Sequence, residues 1–511
     1  MGSDTPQVPV TQKVQPEVEE IIQTPPEPTP PTKPKKRLKV IIVIISIVAL
    51  VSLIIGVFYY LRREKSVAEN GGWFQIGNTS SLTQLQFKES KELEDNRMGD
   101  MITLHPEIHT EGPDYLANRI NEKGLKWMRL SIDDFDWIEV EKNGAYSEHY
   151  ISPEQDETIT ALADKGINVM YTIVFWDEEI QANQEEGYSR FKTEGEIQRF
   201  LDYVQFIVRN FKGRIEYYEI LNESNIGGWN QPYADQQYVE IDDYINLVRR
   251  TIPVIRQEDS NAKIVAGAVA PLYRTEETIY LDSTGRDYIF GLLESDVMPL
   301  VDAVSWHAIG GTSPEYGEEH YYGYPALLKE IKDVASAHGF EGEYISEEMH
   351  WRTSETLHSD EFDGYSKTAA AKYLARAILL HLGMDITSGL AECLECQPKM
   401  NVIQSLATLM AGAEPIVLPI KIETGSINIK SYSFSLSNGD KLIALWTDGV
   451  AVDDESGVSA DLVFNGLSGK EVIGVDVLNG YQQTLVVEGN AVKNLIVRDY
   501  PLILRISKSD R

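Results

Sequence analysis

At 511 residues, 42% of them hydrophobic, the chain has material for a large core and is too long for one ordinary domain. Its formal net charge of −33 would repel a polyanion, which excludes nucleic acid as a partner. Its only two cysteines, Cys393 and Cys396, lack the further ligands that a structural zinc site requires, and leave a local disulfide or two free thiols open.

Residues 1–39 are rich in Pro, Thr, Glu and Gln (TPPEPTPPTKP) and poor in large apolar groups. They cannot offset the entropy of ordering and are expected to form a disordered, Pro-rich tail. From Val40 to Leu61 the run VIIVIISIVALVSLIIGVFYYL carries no charge. At about 1.5 Å per residue it can cross a hydrocarbon core of about 30 Å. Phe58, Tyr59 and Tyr60 stand at one end, as interfacial aromatics do. Lys33, Lys35, Lys36, Arg37 and Lys39 precede the run, whereas Arg62, Arg63 and Lys65 follow it. That bias predicts a single-pass signal anchor, with a cytoplasmic N-terminus and the large remainder outside the cell. Residues 62–95 are expected to form a linker, irregular or with a small edge strand.

Between about Asp95 and Met410, short apolar runs alternate with helical patterns, as repeated β-α units do. The expected strands are Met98–Leu104, Trp127–Ile132, Asn168–Val174, Ile215–Leu221, Lys263–Val269, Ala303–His307, Tyr344–Ser346 and Asp385–Leu390. Helical stretches such as Ile197–Phe211, Tyr233–Glu258, Tyr324–His338 and Tyr365–His381 fall between them. Eight of each predict an α/β fold of the (β/α)8 TIM-barrel type over residues 96–411. The alternative, a doubly wound sheet, lacks a Gly-rich phosphate loop after its first strand. From residue 412 to 511 helical periodicity gives way to short β-rich runs with Asn/Gly/Asp turns, predicting an antiparallel β-sandwich.

In such a barrel, reactive groups sit just past the C-terminal ends of the strands. Strand four ends IEYYEILNES, which brings Asn222 and Glu223 to its mouth. Strand seven reads EYISEEMHW, which brings Glu347 to its mouth with Glu348 next as the competing carboxylate. Arg129 in KWMRLSI and His307 in VDAVSWHAIGG come to the rim on strands two and six. Two carboxylates facing one opening are what glycosidic cleavage requires: Glu223 as acid/base and Glu347 as nucleophile, about 5–5.5 Å apart for a retaining enzyme. Two acids so close cannot both ionise readily, and Glu223 is expected to be the one that keeps its proton. Asn222, Arg129, His307, His105, Trp176 and Asp177 are the expected substrate-binding residues. His105 and His109 stand four apart in LHPEIH, but no third ligand accompanies them, so no metal and no cofactor is expected.

EILNESN resembles the E-I-W-N-E-P-N signature of the clan A glycoside hydrolases. YISEE resembles their I-T-E, MRLSI their strand-two arginine and SWHAI their strand-six S-W-H-x-Y. The resemblance spans the barrel, and the sandwich is similar to those of families 39 and 5. It implies a retaining O-glycosyl hydrolase acting on a poly- or oligosaccharide. Departures are Leu221 for Trp, Ser224 for Pro and Ile309 for the tyrosine that often bonds the nucleophile, a role left to Tyr316, Tyr321 or Tyr322. Strand eight offers no tryptophan platform. Those last departures motivate an alternative, a surface barrel that binds carbohydrate without cutting it; a transglycosylase would share the chemistry.

Overall fold

The computed structural model describes residues 73–507, apart from 103–104, 106, 132–149, 176–188, 227–237, 271, 273–284, 309–312, 354–363 and 426–427. The apolar run Val40–Leu61 lies outside them, and among the described residues no helix is long and apolar enough to cross a membrane.

Eight parallel strands close into a barrel in chain order. They are β1 (Met98–Asp100), β2 (Trp127–Ser131), β3 (Asn168–Ile173), β4 (Tyr217–Ile220), β5 (Lys263–Val269), β6 (Ala303–His307), β7 (Glu343–Met349) and β8 (Thr387–Leu390). The helices that alternate with them are α1 (Asp114–Lys123), α2 (Pro153–Asp164), α3 (Glu194–Phe211), α4 (Ile241–Glu258), α5 (Gly285–Leu293), α6 (Pro314–Ala337), α7 (Lys367–Gly383) and α8 (Lys399–Leu409). The local chemistry explains the elements. In α3 the Thr193 side chain caps the first turn by accepting from the Glu196 amide, and Ile197, Phe200, Leu201, Val204, Ile207, Val208 and Phe211 form one buried stripe. By contrast α7 is Ala-rich and buried almost all round, because it is wedged between the barrel and the second domain.

Side chains alternate across each strand, so residues two apart stack along the barrel axis. Met101, Trp127, Met170, Tyr217, Val265, Ala303 and Ile345 form an apolar cluster inside the barrel. Two residues further along five of those strands stand Arg129, Thr172, Glu219, Ser305 and Glu347, all with no exposure. The barrel floor is therefore greasy, and the layer above it is charged.

Ten strands make two antiparallel sheets. The larger runs Leu82–Gln84, β15 (Tyr481–Thr484), β14 (Val472–Asp476), β17 (Leu502–Ile506), β12 (Lys441–Thr447), β11 (Ile429–Ser435) and β9 (Glu414–Ile416). The smaller is β10 (Ile420–Thr424), β13 (Val458–Phe464) and β16 (Ala491–Val497). Alternation again assigns the faces. Leu442, Ala444 and Trp446 join the barrel's hydrophobic cluster, whereas Ile443 and Leu445 pack with Leu462, Leu495 and Leu504 between the sheets. The segment expected as a linker contributes to this domain: Phe74 enters the core between the sheets, and Leu82–Gln84 pairs with β15. Gly383 lets α7 approach β11, since a Cβ there would lie 2.1 Å from the Tyr432 ring. Cys393 and Cys396 are joined as a disulfide just after β8.

Candidate active site

The mouth of the barrel is where the backbone is least relaxed. Leu221, Glu223, Ala268 and Glu348 all have positive φ, between 42° and 63°, at the ends of β4, β5 and β7. Such conformations cost on the order of 1–3 kcal/mol each for residues with a Cβ, and persist where surrounding structure enforces them. The register of β7 slips between Ser346 and Met349, which breaks strict alternation. Ile345 and Glu347 face the lumen by the rule of two. Glu348, with φ 42°, turns to the same side instead of the opposite one.

This overturns the expected position of Glu347. Its side chain has no exposure and lies in the charged layer, whereas Glu348 reaches the mouth with 18% exposure. Glu223 is at the mouth as expected, with 12% exposure. A carboxylate oxygen of Glu223, one of Glu348 and Nδ1 of His307 all lie within 4.8 Å of one another.

Arg129 and His307 were expected to touch substrate, but neither has any exposure. Both hold the acids. Arg129 donates to Glu219 through Nε (2.8 Å) and Nη2 (2.6 Å), to Glu348 Oε1 through Nη1 (2.7 Å) and to Asn222 Oδ1 through Nη2 (2.7 Å). Glu219 also accepts from Thr172 (2.9 Å) and Ser305 (2.7 Å). His307 Nδ1 lies 2.9 Å from Glu223 Oε1 and 3.4 Å from Glu348 Oε2, and its Nε2 lies 3.1 Å from Glu347 Oε2. Burial alone would strip the imidazole of its proton. The surrounding carboxylates of Glu348, Glu223 and Glu347 outweigh it and raise the His307 pKa to about 10.

Glu347 and Glu219 are both fully buried in the charged layer. Burial pushes Glu347 up to about 8, against the pull of Arg129, and the charge of Glu219 adds to the effect. Glu219 is lowered despite its burial, because Arg129 and the hydrogen bonds it accepts favour its anion. Glu347 Oε2 lies 3.1 Å from His307 Nε2 and 3.5 Å from Arg129 Nη2, both poorly aligned for a hydrogen bond, and Oε1 has no such neighbour. A proton on Glu347, donated to Glu219, satisfies both groups. Burial also holds Glu348 above the ordinary carboxylate value, against His307 and Arg129.

Asn222 is half-buried, with its carbonyl committed to Arg129, which leaves its amide hydrogens as donors. His105 is buried instead of facing substrate; its Nε2 meets the Ile102 carbonyl at 3.0 Å. His109 turns to Glu154 (3.1 Å), so the two histidines do not converge. Trp176, Asp177 and Ile309 lie outside the described residues. Tyr321, one of the tyrosines expected to serve the nucleophile, donates to Asp448 of the sandwich instead. Glu223, His307 and Glu348 are the only group among the described residues arranged like metal ligands. A ligating imidazole must be neutral, and these carboxylates keep His307 protonated, so the group suits hydrogen bonding better than metal binding.

Beside Glu348 opens a cleft of about 1090 Å³, counting its mouth, walled by Ile102, His350, Arg352, Thr353, Lys367 and Lys399 among others. Lys399 is anchored there by Glu392 and the Trp351 carbonyl. Sequence reasoning missed Glu219, Thr172 and Ser305, although the rule of two from Tyr217, Met170 and Ala303 marks all three as lumen residues.

No protein-family model matches the chain, and no curated protein does. Solved structures do. The chain is similar to a family 39 glycoside hydrolase from Bacteroides cellulosilyticus WH2, with a TM-score of 0.57 and 14% identity over 83% of each chain. It is similar to the catalytic domain of GH30 xylanase C from Talaromyces cellulolyticus, with a TM-score of 0.50 and 12% identity over 83% of this chain and 98% of that one. It is also similar to an alpha-L-arabinofuranosidase from Thermotoga maritima, with a TM-score of 0.51 and 9% identity over 84% of this chain and 100% of that one. These structural neighbours are clan A glycoside hydrolases, and at such identities what the chain shares with them is the fold, an eight-stranded parallel barrel joined to antiparallel sheets.

Proposed function

We propose that the chain is a retaining O-glycosyl hydrolase in which Glu223 is the acid/base and Glu348, not Glu347, the nucleophile. One observation carries this reading: two partly exposed carboxylates share the Nδ1 side of one buried imidazolium at the open end of a barrel, with oxygens within 4.8 Å. Carboxyl groups about 5–5.5 Å apart leave room for a sugar between acid and nucleophile; separations of about 6.5–9.5 Å would leave room for a water as well.

In the first step Glu223 gives its proton to the glycosidic oxygen while Glu348 attacks the anomeric carbon, so the leaving group departs neutral and a glycosyl ester forms. In the second, Glu223 takes a proton from water, the hydroxide attacks the same carbon, and Glu348 leaves as carboxylate. Arg129 binds Glu348 Oε1 and favours its carboxylate form, opposing the burial that raises it. The free amide hydrogens of Asn222 suit the sugar 2-hydroxyl. Neighbours described as a family 39 glycoside hydrolase, a xylanase and an arabinofuranosidase support a carbohydrate substrate.

Glu348→Gln should lower kcat on an aryl glycoside by on the order of 10⁴, and in Glu348→Ala, where the side chain no longer fills the space, azide should restore turnover with inverted product stereochemistry. A fluorosugar probe should label Glu348. Labelling at Glu347, or full turnover in Glu348→Gln, would refute the assignment.

The same reading has the enzyme anchored through Val40–Leu61 with the barrel outside the cell. The uncharged apolar run supports it, as does the disulfide, a bond that persists in oxidising compartments. The full chain should stay in the membrane pellet through alkaline carbonate extraction, and a chain beginning at residue 67 should not. Release of both would remove the anchor from the account.

A further inference from the structure

Barrel and sandwich meet along α7. For most of its length the seam is closed by specific bonds. Lys372 pairs with Asp499 (2.7 Å), Arg376 donates to the carbonyls of Asp499 and Gly449, and Tyr373 accepts from the Ala451 amide. At one end it is not closed. A cavity of about 730 Å³, counting its mouth, lies between the ends of β6 and β7, helices α6 and α7, and the barrel-facing side of β11 and β12. Its lining includes Met349 and Trp351, but neither of the proposed catalytic carboxylates.

Three features of its wall go together. The first is aromatic surface: Tyr321, Tyr322, Tyr432 and Trp446 all line the cavity, with Tyr432 and Trp446 stacked on each other at 5.7 Å and 25°. The second is an orphaned donor. Trp446 is 3% exposed, and its buried Nε1–H has no hydrogen-bond partner. Desolvating such a donor without an acceptor costs about 1–3 kcal/mol. A purely hydrophobic seam has no need of a donor there. The third is a charged rim. Lys430 stands opposite Trp446 in the β11–β12 register, with its side chain 45% exposed. Its ammonium is 3.7 Å from Asp448, a buried carboxylate whose other oxygen accepts from Tyr321.

Aromatic faces, a lone N–H donor, a carboxylate and an ammonium around one opening describe a particular ligand. It has an apolar face to stack and hydroxyl groups that both accept and donate. A purely apolar ligand would leave Trp446 Nε1 unsatisfied and would cover the half-exposed Lys430 ammonium without offering it an acceptor. A sugar residue meets every group. We propose that this seam cavity is a second carbohydrate-binding site, distinct from the catalytic cleft, which takes a single sugar unit of a glycan and holds the chain on the enzyme. The proposal shares its ligand class with the glycosidase reading, but uses neither Glu223 nor Glu348.

The test uses the full chain carrying Glu348→Gln, titrated calorimetrically with β-linked hexasaccharides of glucose, xylose, galactose and N-acetylglucosamine and α-linked hexasaccharides of arabinose and mannose. At least one should bind at two sites per chain. Lys430→Ala, on the exposed rim, and Trp446→Phe, which keeps an aromatic face and removes the donor, should each weaken one site at least tenfold and leave the other alone. Both should leave kcat of the otherwise native enzyme on a small aryl glycoside unchanged. A single site unaffected by either substitution, or no binding by any of the six, would overturn the seam site. Loss of turnover in Glu348→Gln decides the catalytic reading separately, so each proposal can fail without the other.

Discussion

The barrel lumen and the core between the two sandwich sheets are built by the same device, the alternation of side chains along a strand, and use it to opposite ends. Between the sheets, alternation delivers Ile443, Leu445, Leu462, Leu495 and Leu504 to one another. The packing is aliphatic, has no preferred direction and tolerates adjustment. In the lumen the same step of two carries the chain from Trp127 to Arg129, from Tyr217 to Glu219 and from Ile345 to Glu347. There every contact has a direction, and each charge depends on a named partner. Four of the strained residues ring this lumen. Directional contacts can hold a backbone where it would not otherwise rest, and that is what lets Glu348 reach the mouth.

The contrast predicts different failures. Arg129→Ala removes the shared partner of Glu219, Glu348 and Asn222, and leaves a buried carboxylate uncompensated. It should cost about 3–5 kcal/mol of stability and abolish turnover together. Leu462→Ala opens a cavity in the sandwich at a cost of about 2–5 kcal/mol, with kcat and KM within about twofold of wild type. Urea unfolding and steady-state kinetics on both variants measure this. If Leu462→Ala lost activity in proportion to its stability, or Arg129→Ala kept it, the two regions would not be the separate kinds of structure described here.

How much of this could be read from the sequence follows the same division. Barrel strands declare themselves as apolar runs between helices, and seven of the eight lie within the runs read from the sequence; β7 extends beyond Tyr344–Ser346 on both sides. Glu223 is legible because β4 is regular up to its end. Glu348 is not, because alternation assigns adjacent residues to opposite faces, and only a register slip brings both acids inward. No spacing rule reports a slip. His307 and Arg129 are legible as lumen residues but not as buried ones, since their depth depends on the layer above. The seam is harder still. Tyr321 and Trp446 are 125 positions apart in sequence, and their meeting depends on how α7 packs on β11, which Gly383 permits.

The finest test of the lumen is its proton inventory. In the folded chain Glu347 titrates at about 8 instead of its ordinary 4.5, so between those values the native state holds a proton that the unfolded chain has released. Stability from this group is complete below pH 4.5 and is lost as pH rises toward 8, by at most about 1.4 kcal/mol per pH unit. His307, raised to about 10, adds a second loss of the same sign above its ordinary 6.5, and His320, His350 and His381, which burial lowers to about 3, act with the opposite sign below 6.5 but equally in both proteins compared. Glu348 is raised as well and contributes there in both proteins compared. Glu347→Gln keeps an amide donor toward Glu219 but cannot titrate. Its urea midpoint should therefore gain on that of wild type between pH 4.5 and 6.5, and the two should run closer to parallel above pH 8, where Glu347 has already released its proton. Among the described residues, the apolar cluster between the sheets has no ionisable member to answer in this way. Identical slopes in the lower window would mean that Glu347 is charged in the folded protein, and that Arg129 and His307 balance one more anion than the lumen's hydrogen bonds allow.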